Sequence, residues 1–95
     1  YEKSLGIKEK VGDIHGMALT KCGIANILRQ KKEFNDALNL NLESESILKT
    51  LGDKYNLMKV YYNISLCYED IHQEDKARKY YQKAEKLRRE LKIET

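Results

Sequence analysis

Proline is absent from this chain of 95 residues, and glycine occurs only five times. With 41% apolar and 35% charged residues, the composition indicates a soluble, helix-rich chain rather than a disordered or secreted one. No run of 18 apolar residues and no signal peptide is present, so the sequence predicts no membrane-spanning helix. We expect one small domain. Because the chain begins at Tyr1, inside a predicted helix, we also expect it to be a piece of a longer protein.

Cysteine is scarce as well. Cys22 and Cys67 are the two cysteines of the chain, and 45 residues separate them. A disulfide framework requires more cysteines at closer spacing. We therefore expect two free thiols in a reducing, cytoplasmic environment. The formal net charge of +3 is too small to indicate a class of partner.

The sequence signatures of catalysis and of metal binding are missing. His15 and His72 have no second histidine or cysteine pair at metal-ligand spacing. There is no glycine-rich phosphate loop, no Gly-x-Ser-x-Gly turn and no paired-carboxylate arrangement. Asp36, Glu43 and Glu45 are spread along one predicted helix, as surface charges are. We predict a protein that is not an enzyme and that has no cofactor and no metal.

What the sequence does contain is a repeat with a period of 40 residues. Apolar, small and turn positions all recur at this offset: Ile7, Ile47 and Leu87; Val11, Leu51 and Leu91; Ser4, Ser44 and Ala84; Gly12-Asp13 and Gly52-Asp53. A fixed period of this size is typical of a solenoid that stacks one supersecondary unit. Solenoids present extended surfaces to partners, so the period favours binding over catalysis.

The spacing of apolar residues predicts five helical segments, over residues 1–11, 14–29, 33–51, 53–71 and 74–93. Gly12 and Gly52 are predicted to close helices in the left-handed conformation. Asp13 and Asp53 follow them and are predicted to cap the next helices. The connections are short, so consecutive helices should be antiparallel neighbours.

The residues at equivalent positions resemble the tetratricopeptide repeat. The matching positions are Ile24, Ala25, Leu28, Phe34, Ala37 and Ser44 in one unit and Tyr61, Ile64, Ser65, Tyr68, Ala77, Tyr81 and Ala84 in the next. The resemblance implies an all-α solenoid of antiparallel helix pairs, each made of a helix A and a helix B. It also implies one domain over residues 1–95, in which 1–11 end a preceding repeat and 14–51 and 53–93 are repeats. The 40-residue form is similar to that of Pins-type adaptors and bacterial regulatory proteins.

In this family, helix A lines a concave groove that binds a peptide or a partner helix. The resemblance places these residues in the groove: Leu19, Cys22, Gly23, Asn26, Arg29, Gln30, Lys59, Tyr62, Asn63, Leu66, Glu69 and Asp70. Asparagine weakens a helix interior, and its amide can pair with the backbone of an extended peptide of any sequence. Asn26 and Asn63 are therefore the strongest candidates, although each amide could instead bond a neighbouring helix or water.

The other groove residues each have an alternative. Arg29, Lys59, Glu69 and Asp70 either fix the direction of a bound peptide or are solvated charges on a helix face. Tyr62 either anchors a ligand or packs between adjacent A helices.

Two rival functions remain at this point. Self-association would cover the open ends of a short solenoid. Binding to nucleic acid or to a membrane would use the basic last helix, although basic residues are also ordinary cover for an outer helix. We expect a protein or peptide partner, with self-association, and we expect neither nucleic acid nor a membrane.

Overall fold

The computed structural model describes residues 2–92, with side chains from residue 12 onwards. Those residues form four helices and no strand: α1 (Glu2–Gln30), α2 (Phe34–Leu51), α3 (Lys54–Asp70) and α4 (Glu74–Glu90). Each helix packs against the next one along the chain. The all-α architecture of consecutive helix pairs is confirmed. None of the four helices combines the length and the apolar character needed to cross a membrane.

The predicted break at Gly12-Asp13 is wrong. α1 continues through both residues, so the first two predicted segments are one helix of 29 residues. Glycine permits a turn but does not impose one, and inside a helix it costs only about 1 kcal/mol relative to alanine. The assignment of residues 1–11 to a preceding repeat, and the equivalence of Ile7 with Ile47 and Leu87, stay predictions because these side chains lie outside the described residues.

The equivalent turn at Gly52-Asp53 is present as predicted. Gly52 adopts a left-handed backbone with φ of 72°, and its N–H donates to the carbonyl of Lys49. Asp53 then caps α3, because its carboxylate accepts a hydrogen bond of 3.2 Å from the backbone N–H of Asn56. These bonds satisfy backbone groups that the helix ends would otherwise leave unpaired.

The turns between the two helices of each repeat lack glycine. Lys32 and His72, which lie 40 residues apart, take left-handed backbone conformations with φ of 66° and 63°. The residue after each returns a hydrogen bond to the preceding helix, from Glu33 to Leu28 and from Gln73 to Tyr68, at 2.9 Å in both cases. The chain therefore builds the same turn twice from different side chains.

Small residues lie where the helices of each pair cross. Those predicted for these contacts are all buried: Ala25, Ala37, Ser65, Ala77 and Ala84. The hydroxyl of Ser44 donates a hydrogen bond of 2.9 Å to the carbonyl of Ala18, which draws α2 onto α1. Larger apolar side chains fill the space between the repeats, chiefly Leu48, Leu57, Val60, Tyr61 and Ile64.

Candidate functional site

A concave cleft of about 360 Å³ runs between α1 and α3. We call it the α1–α3 groove, and it is lined by Leu19, Cys22, Gly23, Asn26, Asn56, Lys59, Val60 and Asn63. Six of these residues were predicted groove positions, including both candidate asparagines. Asn56 and Val60 were not predicted from the sequence.

The groove has the same residue spacing on both of its walls. On α1 the lining residues follow one another at intervals of 3, 1 and 3, and the same intervals recur on α3. Residues three and four positions apart share one face of a helix, so each wall is a single stripe about two turns long. The two stripes lie 37 residues apart in sequence rather than 40, so the facing side chains are not repeat equivalents.

The two candidate amides are available for a ligand. Asn26 is exposed and Asn63 is half-buried. Neither side chain makes a hydrogen bond to another described residue. The third asparagine of the groove is different, because the Asn56 amide donates a hydrogen bond of 2.7 Å to the carboxylate of Asp53. An unpaired amide presents one acceptor and two donors, which are the groups that an extended backbone also pairs with.

The other lining side chains are apolar or positively charged. Leu19 is an exposed apolar residue of the groove, whereas Val60 is almost completely buried. Lys59 is exposed, and its ammonium nitrogen lies 5.5 Å from the ring centre of Tyr55. Cys22 is a free, half-buried thiol in the α1 wall. The groove therefore combines amides, an apolar patch and one positive charge.

Two polar bridges join α1 to α3 beyond the ends of the groove. At one end the guanidinium of Arg29 donates to the carboxylate of Asp70, with Nε and Oδ2 separated by 2.5 Å. This hydrogen bond raises the pKa of Arg29 above its ordinary value, against the opposing effect of burial. At the other end Nε2 of His15 lies 2.6 Å from Oδ2 of Asp53. Arg29 and Asp70, predicted as groove residues, are thus engaged with each other.

Asp53 has two structural roles, because it caps α3 and also contacts the ring nitrogen of His15 in α1. Burial acts to raise the pKa of Asp53, but hydrogen bonds from Asn56 and His15 outweigh burial and leave the pKa below its ordinary value. The capping role could be predicted from the Gly-Asp pair. The bridge to His15 could not, because it joins residues 38 apart whose proximity depends on how α3 packs on α1.

Three further predicted residues lie outside the α1–α3 groove. The hydroxyl of Tyr62 donates a hydrogen bond of 2.8 Å to Glu85, and its ring meets the ring of Tyr81 edge-on. Tyr62 thus contacts helix B of its own repeat. Leu66 is exposed on α3. Glu69 lines a second cleft, which we call the α3–α4 cleft, together with Ser65, Glu74, Ala77, Arg78 and Tyr81.

Residues 16–90 match the family model of the tetratricopeptide repeat. The chain belongs to the tetratricopeptide repeat family. No curated protein and no solved structure is similar enough to the chain to count as a match. Tetratricopeptide repeats generally mediate protein–protein interaction without catalysis. Among the described residues, no group of three or more His, Cys, Asp or Glu side chains is placed to hold a metal ion.

Proposed function

We propose that this tetratricopeptide repeat chain binds an extended peptide of a partner protein in the α1–α3 groove. The observation that carries the proposal is the pair of unpaired amides, Asn26 and Asn63, on opposite walls of one groove. An extended peptide exposes N–H and C=O groups along both of its edges. One amide on each wall can therefore pair with the peptide backbone and leave its sequence free.

The remaining lining residues suggest which peptides bind best. Lys59 is the exposed charge among the lining residues of the groove, and a positive charge favours an acidic side chain in the ligand. Leu19, on the opposite wall, offers a small apolar surface. Because Arg29 and Asp70 neutralise each other, they contribute little to the direction of binding. We expect a peptide with an acidic residue next to a small apolar one.

The basic residues of α4 support a protein ligand over nucleic acid. The ammonium group of Lys83 lies 4.7 Å from the ring centre of Tyr80, and that of Lys76 lies 5.6 Å from the ring centre of Tyr68. Arg88 forms an ion pair with Glu85 at 2.7 Å. The contact of Lys76 with Tyr68 joins α4 to α3, and the other two contacts lie within α4. Fewer of these cations therefore remain for phosphate groups.

Two finer expectations belong to the same proposal. The half-buried thiol of Cys22 and the buried thiol of Cys67 are both free, which suits a reducing compartment such as the cytoplasm. The 40-residue spacing of equivalent turns suits the long repeat form of Pins-type adaptors. An adaptor role follows if the groove selects one peptide class.

The test is a selection of peptides on the wild-type protein, followed by affinity measurements on variants. Asn63→Ala should weaken binding of a selected peptide by about 1 to 3 kcal/mol, because peptide groups buried in the groove lose their partner. Asn39→Ala changes an exposed asparagine of α2 and serves as the matched control. Equal binding by wild type and Asn63→Ala, with normal folding of both, would place the ligand elsewhere.

A second measurement reports on the groove directly. Cys22 lies in the groove wall, whereas Cys67 is fully buried and burial raises the pKa of its thiol. A thiol reagent should therefore modify Cys22 much faster than Cys67. A peptide in the groove should slow the modification of Cys22. If a saturating peptide concentration leaves the modification rate of Cys22 unchanged, the proposal is contradicted.

A further inference from the structure

Equivalent positions on α1 and α3 differ sharply in exposure. Met17, Ile24 and Ile27 of α1 are 51%, 44% and 53% exposed. The residues 40 positions later, Leu57, Ile64 and Cys67, are 7%, 0% and 0% exposed. α3 packs against the helix that precedes it in the chain, whereas within the described residues this side of α1 has no neighbour. We call these three α1 residues the α1 face.

The opposite end of the molecule shows the complementary difference. The α3–α4 cleft has a volume of about 500 Å³ and is lined by Ser65, Ala77 and Tyr81 among others. The equivalents of these three residues in the first repeat are Ala25, Ala37 and Asn41, and all three are buried. Ser65 and Ala77 are buried as well, so the third position carries the difference. Asn41 is covered by α3 itself, since its amide donates to the sulfur of Cys67 at 3.5 Å. Tyr81, by contrast, is 50% exposed.

We propose that the α1 face of one copy docks into the α3–α4 cleft of a second copy and repeats the junction that joins the two repeats within one chain. The internal junction supplies the geometry, because α3 already sits on the first repeat in this way. The contact of Asn41 with Cys67 would become a contact of Tyr81 with Ile27 of the second copy. Two exposed apolar side chains would thereby cover each other.

Charge is also complementary at the proposed junction. Inside the chain, the negative charge of Glu45 adds to the effect of burial in raising the pKa of Tyr61. The equivalent pair between copies is Lys21 with Glu85, which have opposite charges. Within one copy Lys21 pairs with Glu43 and Glu85 with Arg88, so the new contact would extend existing ion pairs.

The second polar contact of the internal junction also has a compatible equivalent. Between copies, Glu69 of one copy takes the place of Arg29, and Gln30 of the other copy takes the place of Asp70. The amide of Gln30 can donate a hydrogen bond to the carboxylate of Glu69. Neither equivalent pair brings like charges together.

Docking of this kind joins two different surfaces and produces an open chain of copies rather than a closed dimer. The two surfaces are different, so every added copy leaves one α1 face and one α3–α4 cleft unoccupied. The expected product is a chain of copies whose length grows with concentration, rather than a dimer. The α1–α3 groove plays no part in the contact, so this inference and peptide binding stand or fall separately.

The test uses two variants, each of which blocks one surface. Ile24→Glu places a charge on the α1 face, and Tyr81→Glu places one in the α3–α4 cleft. Both positions are exposed, so folding should survive, and a helical melting curve checks this. The wild type should show a rising mass in sedimentation velocity as its concentration increases towards about 1 mM. Each variant alone should stay at the mass of one chain, 11.2 kDa.

Mixing the two variants decides the question. The intact cleft of Ile24→Glu can accept the intact α1 face of Tyr81→Glu, so the mixture should form dimers and nothing larger. Asn39→Glu, an exposed change on α2, should assemble as the wild type does. A wild type that remains monomeric at every concentration would overturn the proposal. A mixture that stays monomeric, or a wild type that stops at a dimer, would overturn it as well.

Discussion

Lys32 and His72 adopt left-handed backbone conformations that side chains with a Cβ atom normally avoid. Glycine takes the same conformation without steric cost, although it is more flexible in the unfolded chain. We expect Lys32→Gly and His72→Gly each to raise the free energy of unfolding by up to about 1 kcal/mol. Urea titrations measure the change. Gly52→Ala, at a position with φ of 72°, should shift stability in the opposite direction, and destabilisation by both glycine variants would refute the strain argument.

The pH dependence of stability should reveal how much the Asp53 carboxylate stabilises the fold. Its pKa is below the ordinary value in the folded chain, so its carboxylate stabilises the fold above the unfolded pKa of about 3.9. That contribution is lost as the pH falls through the folded pKa. Asparagine also caps helices well, so Asp53→Asn chiefly removes the charge.

We therefore expect Asp53→Asn to be less stable than the wild type near pH 7, with a difference that shrinks below about pH 4. Thermal melting across this pH range measures the difference. Asp13→Asn is the matched control, because Asp13 is exposed in the middle of α1. The control should change stability by less than about 0.5 kcal/mol throughout. A constant difference between Asp53→Asn and the wild type at all pH values would contradict the account.

Residue contacts were the part of the site that the sequence predicted least well. Family resemblance predicted that Leu19, Asn26 and Asn63 lie in one groove, and helix periodicity accounts for which of them share a face of one helix. The ion pair of Arg29 with Asp70 spans 41 residues. Its geometry depends on the crossing of α1 with α3, and a one-dimensional pattern carries no information about that crossing.

At the level of helices, periodicity predicted three of the four boundaries between segments. The helices end and resume around residues 31–33, 52–53 and 71–73, as expected. The fourth predicted boundary, at Gly12-Asp13, fails although the same dipeptide works at Gly52-Asp53. The turn at Gly52 is accompanied by the packing of α3 onto α2, which stabilises a reversal that the dipeptide merely allows.

Helix packing predicts different outcomes for two equivalent alanines. Both alanines are buried, but Ala77 borders the open α3–α4 cleft. Ala37→Leu should overpack the junction and lower the free energy of unfolding by about 1 to 3 kcal/mol. Ala77→Leu has space in the cleft and should cost less. Chemical denaturation of both variants at low protein concentration tests this order, and a larger loss for Ala77→Leu would show that the cleft is closed in solution.

The whole molecule is elongated, with extents of 50 × 32 × 20 Å. α1 accounts for the long dimension, since 29 residues at about 1.5 Å per residue span about 44 Å. The other helices have 17 or 18 residues and are far shorter. Extended contact surfaces of this shape suit long, thin ligands better than compact ones.

The order of packing also governs how the molecule opens. α2 packs extensively against α1 and α3, and α3 packs extensively against α2 and α4, whereas α1 and α4 each have one extensively packed neighbour among the described residues. Local unfolding is least costly where contacts are fewest. We expect the backbone amides of α4, and those of α1 near the α1 face, to exchange with deuterium faster than those of α2 and α3. Mass spectrometry of a dilute sample measures this, and uniform exchange across the helices would mean that the chain opens all at once.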